Sequence, residues 1–418
     1  MMMSAVGALV GLAVAIVLIV RKLSPVYSLL LGALVGGLLG GLGIESTVST
    51  MVSGVKDITP AIVRILAAGV LSGVLIKSGA AESISHTIVD KLGRHHVYLA
   101  LALSVMLLTA VGVFIDVAVI TVAPVAIMIG RRLGISRFKI LLAMIGGGKC
   151  GNIISPNPNT IIAAENMGAS LSSVMAAGVI PALIGLVVTV YLIIPLMPNR
   201  DLYARNESAS ETANNNLPSF AASIAGPLVA IVLLALRPLM GIAIDPLVAL
   251  PVGGVISILT TRTWKSALQS VGFGLEKMSV VAVLLVGTGA IAGIIKESSL
   301  TDLLIGAMGS GEGGRVLLPP LSGILMSAAT ASTTAGATVA SASFGQTILA
   351  SGISAAWGAA MINAGATVLD HLPHGSFFHA TGGSVEMSIG ERLRLIPYES
   401  LVGLVLTICS VASYLILT

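Results

Sequence analysis

The stretch Ala143-Met144-Ile145-Gly146-Gly147-Gly148-Lys149-Cys150-Gly151-Asn152-Ile153-Ile154-Ser155-Pro156-Asn157-Pro158-Asn159-Thr160 has a second version 217 residues later. It begins again as Ala360-Met361-Ile362-Asn363-Ala364-Gly365-Ala366-Thr367 and ends Asp370-His371-Leu372-Pro373-His374-Gly375-Ser376. At that offset Gly148 meets Gly365, Pro156 meets Pro373 and Asn157 meets His374. Ile180-Pro181 recurs as Ile396-Pro397, and Gly69 and Gly73 match Gly289 and Gly293. Both versions open apolar and end in Pro, Gly and polar residues, so each reads as a membrane helix broken near its middle. Internal repetition at this period means two related halves.

The composition agrees with a membrane setting. Of 418 residues, 56% are hydrophobic and only 10% charged, against about 25% charged in soluble domains. Apolar runs of around 20 residues recur along the chain, long enough to cross a hydrocarbon core as helices. Period-two alternation, the mark of a membrane barrel, is almost absent. The net charge of +4 sits in loops and reads as topology rather than nucleic-acid binding. Two cysteines, Cys150 and Cys409, form no disulfide framework.

Spans are expected at about 4–20, 25–44, 58–77, 138–165 and 171–196, then at 219–236, 241–260, 277–296, 353–380 and 397–417. Segments 97–130 and 317–350 are too long for one crossing and carry small or polar interruptions. They read as re-entrant hairpins with tips at Gly112–Asp116 and Thr330–Gly336. The expected fold is therefore an all-α polytopic membrane protein of two repeats, 1–197 and 219–418, joined by a polar linker at 198–218. Each repeat has five transmembrane helices plus one re-entrant hairpin. Five is odd, so the repeats are inverted, as in secondary transporters whose helices break at the midplane. Arg21-Lys22, Arg262 to Lys265, Arg392 and Arg394 place their loops inside and both termini outside, in a cell inner (plasma) membrane. Arg237 and Arg315 fall on the other side against that rule.

The hairpin tips and the two breaks should converge on one site. Half-helix N-termini present N–H groups to an anion such as a carboxylate. Asn and hydroxyl side chains suit a substrate's hydroxyl groups. The candidate substrate-binding residues are Asn152, Ser155, Asn157, Asn159, Thr160, Ser332, Thr333, Thr334, Asn363, His374 and Ser376. Ionisable groups inside spans are costly and count as functional candidates. Asp116, Lys149, Asp370 and His371 are read as ion-coupling residues. Lys149 can pair with Asp116 or with a substrate carboxylate, and Asp116 can also serve as a helix cap. Glu165 is expected to be solvated at the outer end of its span.

Several chemistries are excluded or weak. No Walker sequence is present, so no ATP drive is visible. A His371-x-x-His374 pair with Asp370 invites a metal reading, but two His flanking a Pro without Cys make thin support. No metal or cofactor is expected beyond H⁺ or Na⁺ as coupling ion. The partners are a small-molecule carboxylate and the lipid bilayer.

The segment from Lys77-Ser78-Gly79 through Gly93 to Pro181, and the stretch from His371 to Glu399, resemble the gluconate permease family of proton-coupled symporters. The break at 156–160 followed by Asn166-Met167-Gly168 carries the likeness, as does His371 to Phe378 followed by Arg392-Leu393. The chain departs from the family pattern at His371-Leu372-Pro373-His374, where a His-x-Asn-Asp run is usual, and at Pro156 to Thr160. The resemblance implies a place in the larger ion transporter superfamily, with a scaffold part, a mobile transport part and a homodimer. It implies sugar acids and other small hydroxy acids, including gluconate, glycerate and D-serine, as substrates. The function expected is elevator-type symport of such an acid, not enzymatic catalysis. Two alternatives are a citrate–metal or Na⁺/H⁺ exchanger on the same fold, and an intramembrane metalloenzyme using His371, His374 and Asp370.

Overall fold

The computed structural model describes residues 3–21, 23–92, 96–199, 202–203, 217–240, 242–300, 312–373 and 375–418. Among them the structure is helical, with two isolated bridges, Met3 with Ser298 and Ser136 with Leu202. Most of the expected linker lies outside the described residues.

The chain opens with α1 (Ala5–Val20) and α2 (Pro25–Leu39), a close antiparallel pair. Ser4 caps α1 by accepting from Val6 N, and Pro25 begins α2, where a missing N–H costs nothing. Then comes α3 (Ile44–Lys77), 34 residues long, about 51 Å at 1.5 Å per residue. The short α4 (Ala80–Leu92) leads to α5 (Val97–Ala110) and α6 (Ile115–Leu133), then α7 (Arg137–Asn152) and α8 (Pro158–Met167). The first half closes with α9 (Leu171–Leu196), which includes a π-helical turn at Thr189–Ile193.

The same succession returns. A pair, α10 (Phe220–Met240) and α11 (Pro246–Thr261), precedes a second long helix, α12 (Ala267–Lys296). After it come α13 (Glu312–Thr330) and α14 (Thr333–Ala350), then α15 (Ala355–Ala366), α16 (Ser376–Ser384) and α17 (Ile389–Leu393), and finally α18 (Ile396–Leu417).

Among the described residues, four stretches are long and apolar enough to cross a membrane: Ile44–Lys77, Leu171–Leu196, Trp264–Lys296 and Ile389–Leu417. Large apolar side chains stand exposed along them, including Val187, Leu192 and Leu196 on α9 and Ile416 on α18. A surface so apolar faces lipid rather than water.

Three expectations change. The spans at 58–77 and 277–296 are only the apolar ends of α3 and α12, because Glu45, Lys56, Asp57, Glu276 and Lys277 interrupt the hydropathy without interrupting the helix. The glycine run does not break its helix. Gly146 to Gly151 stay helical in α7, and the chain breaks later, at 153–157. Those glycines admit neighbouring backbone: a Cβ on Gly147 would sit 2.0 Å from Ala102 O, and one on Gly151 2.2 Å from Met106 O. Finally, α4 is a helix where no element was expected.

The two long helices run antiparallel in close contact. Gly54 lies against Gly289 and Gly293, while Gly69 and Gly73 lie against Gly274. Small residues allow such backbone approach inside a bilayer, where packing rather than the hydrophobic effect joins helices.

Candidate functional site

The two broken helices and the two hairpin tips meet. After α7, Asn157 caps α8 and Pro158 opens it. Asn157 Oδ1 accepts from Thr160 N and Thr160 Oγ1, both at 3.0 Å, and Asn157 Nδ2 donates to Asn152 O at 2.8 Å and to Asn152 Oδ1 at 2.5 Å. The amides then reach the other half. Asn159 Nδ2 donates to Asn363 Oδ1 at 2.6 Å, and Asn363 Nδ2 donates to Thr160 Oγ1 at 3.0 Å. All five residues are buried. The Ser155 hydroxyl is also buried and has no hydrogen-bond partner among the described residues.

The break after α15 is charged. Lys149, wholly buried on α7, donates to Asp370 Oδ1 at 2.7 Å, to His371 Nδ1 at 3.1 Å and to Thr367 O. Its three donors are thereby satisfied, and it stands where the C-terminal carbonyls of α15 are most negative. His371 Nε2 faces the Ile396 carbonyl at 3.1 Å and Ser400 Oγ at 3.2 Å. A carbonyl only accepts, so Nε2 carries the proton and Nδ1 accepts from Lys149. Asp370 Oδ1 also lies 3.0 Å from Nδ1. Behind it, Glu399 Oε2 lies 3.7 Å from His371 Nδ1 and is forked by Arg392, whose guanidinium also covers the Phe378 ring at 4.9 Å. With His371 neutral, Lys149, Arg392, Asp370 and Glu399 balance.

Asp370 faces both ways. Its Oδ2 accepts from Thr333 Oγ1 at 2.5 Å. Thr333 begins α14, capped by Ser332, whose oxygen accepts from Ala335 N at 3.3 Å. Before the cap, Ala331 adopts φ 46, a conformation a non-glycine residue holds only under the constraint of its surroundings. These groups border a cavity of about 730 Å³ whose lining includes Phe114, Asp116, Asn152, Ser332, Thr333, Thr334, Asp370 and Lys277. Thus the N-termini of α6 and α14 both edge one open space, together with one residue from each break.

Most sequence candidates are therefore neighbours, and two expectations are corrected. Lys149 pairs with Asp370 rather than with Asp116, which lines the cavity. Glu165 is not a lone solvated charge but an ion-pair partner of Arg64. His374 and the Ser376 side chain lie outside the described residues. Among those described, no group of three metal-ligating side chains assembles. Sequence reasoning missed the Arg392–Glu399 pair, because Arg392 read as a loop charge. The signal available was Glu399, a carboxylate inside the final apolar span.

The model of the GntP family permeases matches residues 3–418. The chain belongs to the GntP permease family. An uncharacterised transporter of Haemophilus influenzae is 56% identical to this permease, over 97% of both chains. A gluconate permease of Pseudomonas aeruginosa is 26% identical over 58% of this chain and 55% of the relative, and a D-serine transporter of Escherichia coli is 24% identical over 78% and 79%. The fold of the permease matches the crystal structure of the Alcanivorax borkumensis YdaH transporter with a TM-score of 0.63, covering 88% of each chain at 16% identity. The resemblance read from residues 77–181 and 371–399 is thereby confirmed, and the chain is a multi-pass membrane permease.

Proposed function

We propose that this permease is a proton-coupled symporter of a small hydroxylated carboxylate, a sugar acid such as gluconate, working by elevator-type alternating access. One observation carries the reading: Asp370 joins the cavity to the buried charges, with Thr333 on one oxygen and Lys149 on the other. The N-termini of α6 and α14 suit the carboxylate. Asn152, Ser332, Thr333 and Thr334 suit hydroxyl groups. A proton on His371 gives the neutral buried cluster one uncompensated positive charge, which is costly in a low-dielectric interior. An anion in the adjoining cavity offsets that charge. Each ligand then favours the other, as reciprocity between coupled sites requires.

Inverted repeats support the alternation. Gly54 and Gly274 are 220 residues apart, as are Gly69 and Gly289. Adding that offset to Gly54 and subtracting it from Gly289 converts the Gly54–Gly289 contact into the Gly274–Gly69 contact. A two-fold relation between antiparallel α3 and α12 produces this exchange. In this reading α1–α3 and α10–α12 stay fixed while α5–α9 and α13–α18 move. The end carrying Lys77, Lys91, Arg262 and Lys265 faces the cytoplasm.

Uptake into proteoliposomes tests the proposal. Gluconate or glycerate should accumulate under an inward pH gradient and not under a Na⁺ gradient alone. No accumulation of any sugar acid under the pH gradient refutes it.

A further inference from the structure

Arg64 leaves the middle of α3 and holds carboxylates from two other elements. Its Nη2 donates to Asp245 Oδ2 at 2.8 Å and its Nε to Asp245 Oδ1 at 3.1 Å, while Nη1 pairs with Glu165. Asp245 caps α11, accepting from Leu247 N at 2.8 Å. Arg64 and Asp245 therefore form a unit within the fixed part. Glu165 belongs to α8, in the part assigned to move. Among the described residues, Arg64–Glu165 is the ion pair that joins the fixed part to the moving part, so the movement must break it.

The contact lies away from the cavity mouth. Residue Asn166, next to Glu165, borders a smaller cavity with Lys296 at the end of α12. The 730 Å³ cavity instead reaches Lys277, towards the opposite end of α12, where Lys77 covers Phe273 at 4.6 Å. At that mouth a fixed cation and a moving carboxylate occur again: Lys277 on α12 and Asp116 on α6 both line the cavity, and among the described residues no ion pair joins them.

We propose that the two mouths carry alternating ion-pair gates: the Arg64–Asp245 clasp closes on Glu165 when the large cavity is open, and Lys277 closes on Asp116 when that clasp releases. The proposal rests on the moving and fixed parts assigned above. It needs no particular substrate. Each gate is part-exposed (side-chain exposure of 25% for Arg64 and 28% for Glu165), so it can open without leaving a fully buried charge unpaired.

The experiment uses the full chain in detergent with Cys409→Ser and a reporter, Ser279→Cys, on the cavity lining. Cys150 is buried and stays. The rate of maleimide labelling reads the share of molecules with the cavity open. Glu165→Gln and Arg64→Gln should each slow labelling about two- to fivefold, the shift expected from losing one part-exposed ion pair. Lys277→Gln should leave it as fast or faster. In Arg64→Cys/Glu165→Cys without the reporter, crosslinking by a short bifunctional thiol reagent should stop uptake once the protein is reconstituted into proteoliposomes. Unchanged labelling in both Gln variants, with monodisperse protein, overturns the gate. A slowed reporter in protein that takes up no sugar acid keeps the gate and removes the substrate reading.

Discussion

The break after α7 is tied by neutral amides, and the break after α15 by charges. Asn152, Asn157, Asn159, Thr160 and Asn363 exchange hydrogen bonds with no ionisable group among them. Lys149, Asp370, His371, Glu399 and Arg392 form a buried chain of ionisable groups around the second. The same backbone device, an interruption that contains proline, thus serves two electrostatic ends. A neutral network keeps its hydrogen bonds at any physiological pH and suits holding a shape. An ionic network with a histidine in it can change its proton count and suits coupling.

The largest effect that tests this contrast is Lys149→Met. It leaves Asp370 buried without its cation and should cost about 3–5 kcal/mol of stability, read as a fall in the thermal midpoint in detergent. The double variant Lys149→Met/Asp370→Asn should recover most of that stability and no uptake. If the double variant transports with a normal pH profile, the charges serve folding alone.

Next in size is Asn363→Ala at the neutral break. It strands the Asn159 amide and removes a donor to Thr160, with an expected loss of about 1–3 kcal/mol in the same measurement. A loss as large as that of Lys149→Met would erase the distinction between the breaks.

Smaller in energy but sharper in kind is the pH response. His371→Asn should flatten the pH profile of uptake. Asn157→Ala should weaken substrate affinity, read as KM, while the shape of that profile persists. A profile that changes in Asn157→Ala instead would move the coupling group to the first break.

The smallest effect belongs to the exposed pair Asp57–Lys296, at 3.1 Å and more than half exposed. Removing Lys296 should change stability by less than about 1 kcal/mol, which sets the scale for charges outside the buried chain.

Much of the site was legible because its residues break rules locally. Pro156, Pro158 and Pro373 cannot continue a helix, and Asp370 and Lys149 do not belong in a bilayer without partners. The partnering itself was not legible. Lys149 reaches Asp370 across 221 positions of chain, and only docking the two halves selects it over Asp116. Arg392 and Glu399 sit on either side of the two-residue turn between α17 and α18, and nothing in the local sequence says that this cation folds back into the apolar span. The glycines of α7 carried an ambiguity of a different sort. A glycine that loosens a chain and one that admits a neighbour look alike until the neighbour is present, and here Ala102 and Met106 are present.

By itself the sequence determined that this chain lives in a membrane, repeats its plan, breaks two helices and belongs among the gluconate-type permeases. Hydropathy, proline and glycine act over a few residues, so one chain displays them without its fold. Tertiary structure decided which charges are buried, which amides tie the halves together, and that both hairpin tips edge one cavity. Those outcomes depend on distances between segments some two hundred residues apart, and only packing sets such distances.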